Sequence, residues 1–141
     1  MKKILLKNKG QTIVEVSLIL PLLVILVGAA VDWGLAFFVS HVVQNAAREA
    51  TRAAVTQTSI TKPPIDATVQ AVIPDSPLFS NFRDTSHINL TFPDGTCPNV
   101  KVTVTISAPF NFFFLRLFDF APLTITRSSS MRWERQPFNC S

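Results

Sequence analysis

The stretch QTIVEVSLILPLLVILVGAAVDWGLAFFVSHVVQNAAREATRAAV, residues 11–55, decides the fold. Residues 12–31 are almost wholly apolar, and about 20 such residues rise roughly 30 Å as a helix, the thickness of a hydrocarbon core. After Gly34 no residue breaks the helix, and HVVQNAAREATRAAV is rich in Ala and other good helix formers. Val43, Ala46, Ala47, Ala50, Ala53 and Ala54 recur at three- and four-residue steps and share one face. His41, Gln44, Arg48 and Arg52 mark another. The simplest reading is one helix over residues 12–56, about 65 Å long by its rise. Its inner half lies in a membrane, and its outer half offers a narrow, Ala-lined stripe to a small domain. Pro21 removes the hydrogen bond to the Ser17 carbonyl, a loss that membrane helices tolerate.

Charge sets the orientation. Lys2, Lys3, Lys7 and Lys9 precede the apolar run with no acid among them, and positive charge stays cytoplasmic. Beyond these four, nine basic residues face nine acidic ones, so the formal charge of +4 reports the N-terminal segment and not a nucleic-acid surface. A secretory signal peptide has a shorter apolar core of about 7–15 residues ending at a small-residue cleavage site. VGAA at residues 27–30 has that composition, but the run here is longer and an acid stands beside its start.

Two carboxylates interrupt the run. Asp32 falls about 31 Å beyond Gln11, near the outer interface where the neighbouring Trp33 is also favoured. Glu15 lies only about 6 Å beyond Gln11, where insertion of a charge costs roughly 2.5–3.5 kcal/mol. Nothing in the composition explains it.

The remainder, residues 56–141, reads as an ordinary mixed sequence long enough for a modest core. TKPPID ends the long helix, and a short helix is expected from Asp66 to Ile73, stopped by Pro74. A loop rich in Pro, Ser, Asn and Asp follows to about Ser86. Ile88, Leu90 and Phe92 share one face of a strand; Val100, Val102, Val104 and Ile106 alternate with polar residues in a second; Leu123, Ile125, Met131 and Trp133 keep one parity in a third. An antiparallel sheet packed on the helix buries these faces. Residues 110–120 hold six Phe and fit neither period: they are either a connection whose rings pack under the sheet or helix, or an exposed patch that meets a partner or the membrane surface. Cys97 and Cys140 lack metal-ligand spacing and, beyond a membrane segment, are expected to form a disulfide.

Catalytic and metal patterns are missing from the sequence. His41 and His87 are isolated, there is no Gly-rich phosphate loop, and no nucleophile–base pair stands out. Asn89, Leu90 and Thr91 form a glycosylation sequon, a short pattern that often arises by chance. The expectation is a protein that is not an enzyme and holds no cofactor and no metal.

Lysines ending in Gly10, an apolar helix starting at Gln11, and Glu15 as the fifth residue after the glycine resemble the class III signal of type IV pilins and pseudopilins. Residues 11–55 as a whole, with QNAAREATRAA at 44–54 and LTITRSSSMRWE at 123–134, are similar to the TadE-like family, the minor pilins of tight-adherence (type IVc) pili. Such sites often carry tyrosine after the glutamate, where this chain has Val16.

The resemblance implies a leader at residues 1–10, cut after Gly10 by a prepilin peptidase to leave Gln11 as the N-terminus. It implies that the Glu15 carboxylate pairs with the free amine of a neighbouring subunit; in an unassembled subunit it either pairs with the amine of its own Gln11 or takes up a proton. The organisation expected is a cytoplasmic leader (1–10), a transmembrane helix (11–35), its extracytoplasmic continuation (36–56) and a small α+β extracytoplasmic domain (57–141). The fold class is therefore α+β, a long N-terminal helix, membrane-spanning in its first half, on a small antiparallel sheet. The setting implied is the bacterial inner membrane. The partners implied are the prepilin peptidase, the inner-membrane pilus assembly machinery, other pilin subunits and membrane lipid. The alternative is a membrane-anchored extracytoplasmic binding module that never enters a filament.

Overall fold

The structure, a computed structural model, describes residues 8–57, 61–92 and 101–133. Cys97 and Cys140, the pair expected to form a disulfide, lie outside the described residues, as does Val100.

Helix α1, Asn8–Val55, runs for 48 residues and continues through Pro21. It is long and apolar enough to cross a membrane, consistent with a single-pass anchor. Its first part is exposed all round, with Leu18, Leu22 and Val27 among many bare apolar side chains. From Gly28 onward one face is covered: Gly28, Asp32, Ala36, Val39, Val43, Ala47, Ala50 and Ala54 are all buried, at the three- and four-residue steps of a helix face. Ala53, expected on that face, sits at its margin and is half-buried.

Helix α2, Lys62–Val72, packs against α1 through Ile65 and Val69. It begins four residues earlier than the sequence suggested. Proline is accepted in the first turn, where the missing N–H would have no helical partner, so Pro63 and Pro64 open the helix. The segment expected to be a plain loop folds into three short turns: the 3-10 turns Pro77–Phe79 and Thr85–His87 and the α-turn Ser80–Arg83. Phe79 and Phe82 enter the core there.

The sheet is three-stranded and antiparallel, in the order β1 (Ile88–Thr91), β2 (Lys101–Phe110), β3 (Leu123–Arg132). In β2 every second residue from Val102 to Phe110 is buried, which matches the alternation read from the sequence. The register sets Ile88 opposite Ile106 and Ala108 opposite Ile125. The opposite face carries Thr103, Thr105 and Ser107, the last paired with Thr126 at 2.7 Å. One face is dry against α1 and the other is wet, as antiparallel sheets permit.

Helix and sheet are also joined by polar contacts. Arg127 of β3 donates its Nε to the buried Ser40 hydroxyl at 2.7 Å, and its second nitrogen reaches the same oxygen. Gln44 donates to the Ser128 carbonyl at 3.2 Å. The buried Thr51 hydroxyl lies between the Ala47 carbonyl at 2.7 Å and the Ser129 carbonyl at 3.2 Å. Trp133 donates its indole N–H to the Gln57 carbonyl at 3.0 Å. A row of small α1 residues brings the backbones close, and short polar side chains satisfy strand carbonyls that the approach takes from water.

Candidate functional site

Two places on α1 carry carboxylates, and the structure treats them oppositely. Near the start of the helix, Gln11, Val14, Glu15 and Leu18 follow one another at helical spacing and line a shallow open depression. Glu15 is exposed on this surface and forms no ion pair among the described residues. It stands about 6 Å up the helix from Gln11, among side chains suited only to lipid or to another apolar helix.

Asp32 is fully buried. Its Oδ1 accepts the backbone N–H of Phe113 at 3.0 Å, and its Oδ2 accepts those of Phe114 at 2.8 Å and Leu115 at 2.7 Å. These three amides open the 3-10 turn Leu115–Phe118 that links β2 to β3. The bland position at the outer interface expected for Asp32 thus understates it: the carboxylate ties the Phe-rich connection to the helix. Charge-assisted bonds of this kind are about twice as strong as neutral ones. One turn below, a Cβ on Gly28 would stand 2.8 Å from the Phe114 ring, so only glycine lets that ring lie on the helix.

The Phe-rich segment divides between packing and exposure. Phe110 and Phe112 are buried, packed edge-to-face with ring centroids 5.6 Å apart, and Trp33 lies 6.1 Å from Phe112. Phe113, Leu117, Phe118 and Phe120 are exposed. Above them a groove of about 300 Å³ opens between α1 and β3, lined by Trp33, Ala36, Phe37, Ser40, Ile125 and Arg127.

The long apolar helix, the glutamate near its start and the Ala-lined continuation now stand on one element. Residues 10–52 match the family model described as TadE-like protein. The match agrees with the resemblance read from the sequence, begins at Gly10, and covers α1 almost to its end. The match covers 43 of the 141 residues. No curated protein and no solved structure matches the chain.

Within the matched segment lie Gly10, Gln11 and Glu15, as well as Ser40 and Thr51, which the sequence reading passed over, and Gly28 and Asp32, which it read only as part of a small-residue run and as an acid at the outer interface. A signal for these was present. Gly28, Asp32, Ala36 and Ser40 place a small or polar residue at every fourth position of an apolar run. That is the footprint of a closely approaching backbone. Among the described residues no three His, Cys, Asp or Glu side chains come together as a metal site.

Proposed function

We propose that this chain is a minor pilin, or pseudopilin, of a tight-adherence pilus, made as a precursor and acting in pilus assembly and surface attachment. The observation that carries the reading is the TadE-like match, which starts at the glycine of the leader signal and follows α1 through its apolar and Ala-rich parts. A prepilin peptidase cuts after Gly10 on the cytoplasmic face, the side assigned by Lys2, Lys3, Lys7 and Lys9. The protein then crosses the bacterial inner membrane once, with its sheet domain outside, and meets the assembly machinery and other pilin subunits there.

The cut creates an amine at Gln11, one turn from Glu15. A carboxylate left bare among acyl chains is costly, and a matched cation in a low-dielectric setting offsets part of that cost. The pairing of Glu15 with a neighbour's amine therefore favours the assembled state and selects one axial register. The exposure of Glu15 on an uncovered helix face supports this reading, since the carboxylate is presented outward and not spent inside the subunit.

N-terminal mass analysis of the membrane fraction, with and without a prepilin peptidase, tests the assignment. A chain starting at Gln11 only when the peptidase is present is expected; an unchanged mass in both conditions overturns it. With cleavage intact, Glu15→Gln is expected to reduce pilus assembly, and unimpaired assembly removes the role given to Glu15.

A further inference from the structure

The three amide bonds to Asp32 fix the height of the connection between β2 and β3 on the helix. Counting the helical rise from Gln11, Asp32 stands about 31 Å along α1 and Gly28 about 25 Å, against a hydrocarbon thickness of about 30 Å. Phe114, whose ring lies over Gly28, is therefore below the outer boundary of a hydrocarbon core that begins at Gln11. At the same level α1 exposes Val27 and Val31, so whatever fluid surrounds those side chains also surrounds the connection.

The apolar side chains and the backbone of residues 113–120 suit that fluid. The two charged residues among them, Arg116 and Asp119, are exposed and set the segment at the interface, where a charged head reaches water. Phe113 is 72% exposed, Leu117 79%, Phe118 55% and Phe120 59%. This much bare apolar surface on one short segment marks a contact. Non-helical backbone is tolerated at membrane depth only where its polar groups are satisfied by protein. Here the amides of Phe113, Phe114 and Leu115 go to Asp32, and those of Leu117, Asp119 and Phe120 go to carbonyls of the same segment, at 3.0, 3.1 and 3.3 Å.

We propose that residues 113–120 form a second membrane contact, an aromatic wedge seated in the outer interface of the bilayer and latched to the spanning helix by Asp32. The wedge fixes the tilt of the sheet domain against the membrane. Lipid is the occupant because the span itself supplies it at this depth, without a further partner. The proposal rests on α1 crossing the bilayer and is independent of leader cleavage and filament entry.

The test uses the full chain in vesicles of phosphatidylethanolamine and phosphatidylglycerol with brominated acyl chains, reading tryptophan emission as the difference from the parent protein. Three exposed positions report: Leu117→Trp on the wedge, Leu22→Trp in the span, and Ser128→Trp on β3. Emission at positions 117 and 22 is expected to fall roughly twofold relative to unbrominated lipid, as for residues within reach of the hydrocarbon, and emission at 128 to hold. Adding Asp32→Asn is expected to weaken quenching at 117 and leave it at 22. Quenching at 22 without quenching at 117 overturns the wedge, as does a blue-shifted but unquenched signal at 117, which indicates a protein contact. Quenching at neither position overturns the span and the wedge together.

Discussion

Asp32 shows how far a single side chain's role depends on what the fold brings to it. With Oδ1 and Oδ2 both accepting backbone N–H groups, replacement by Asn leaves one oxygen for three donors. A buried donor without a partner costs about 1–3 kcal/mol, so Asp32→Asn is expected to destabilise by that order and Asp32→Ala by somewhat more. Unfolding of the full chain in detergent micelles measures this, and an unchanged midpoint for both variants contradicts it. Two exposed-side carboxylates give opposite pH signatures. Burial pushes the Asp66 carboxyl up, against the pull of Lys62, and its Oδ1 is buried without a hydrogen-bond partner among the described residues. A raised pKa means that the unfolded chain ionises first, so this contribution to stability is lost as pH rises through the carboxylate range. Asp84 is held down chiefly by the Ser86 backbone N–H, donated at 3.0 Å, and its contribution is lost as pH falls through the same range. Relative to the parent protein, Asp66→Asn is therefore expected to gain stability between about pH 3 and pH 6, and Asp84→Asn to lose it, in unfolding midpoints measured across that window. Parallel curves for both variants rule out these assignments. Of the three roles only that of Asp84 was legible in the sequence, since a turn Asp commonly accepts from the backbone N–H two residues on; those of Asp32 and Asp66 depend on a partner or a burial that local spacing does not encode.

The elements were more legible than the residues, and for a physical reason. Strand β2 and helix α1 have one dry face each, so their periods of two and 3.6 are written directly in Val102, Val104 and Ile106 and in Val43, Ala46, Ala47 and Ala50. The start of α2 was misplaced because Pro63 and Pro64 read as breakers, whereas the first turn is where proline costs nothing. The Phe-rich connection resisted reading because its residues divide between two surroundings: Phe110 and Phe112 face the core while Phe113, Leu117 and Phe118 face outward, so no one period describes it. The helix–sheet contact makes a discriminating prediction. Ala50 is fully buried and Ala53 is half-buried at the margin of the stripe. Ala50→Leu inserts three heavy atoms into a filled contact and is expected to cost about 1–3 kcal/mol, whereas Ala53→Leu is expected to stay within about 0.5 kcal/mol of the parent. Equal unfolding midpoints for the two variants contradict the assigned face.

At the scale of the molecule, the covered face of α1 starts at Gly28, inside the stretch first assigned to the membrane at residues 11–35, and not where the extracytoplasmic continuation was expected to begin. The sheet domain and the outer end of the span share one contact surface, since Gly28 receives Phe114 and Asp32 receives the turn behind it. A domain boundary drawn at the membrane surface therefore cuts through a packed unit. A soluble fragment of residues 36–141 loses the Asp32 acceptor, the Gly28 seat and the Trp33 ring over Phe112, whereas one of residues 28–141 keeps all three. Water can hydrate the freed amides, so the expected loss is the packing and the net value of the bonds, about 2 kcal/mol. For a domain of this size that corresponds to a melting temperature lower by roughly 5–10 °C for the shorter fragment. Thermal unfolding of the two fragments side by side reads the difference, and coincident transitions mean that the outer end of the span contributes nothing to the folded domain.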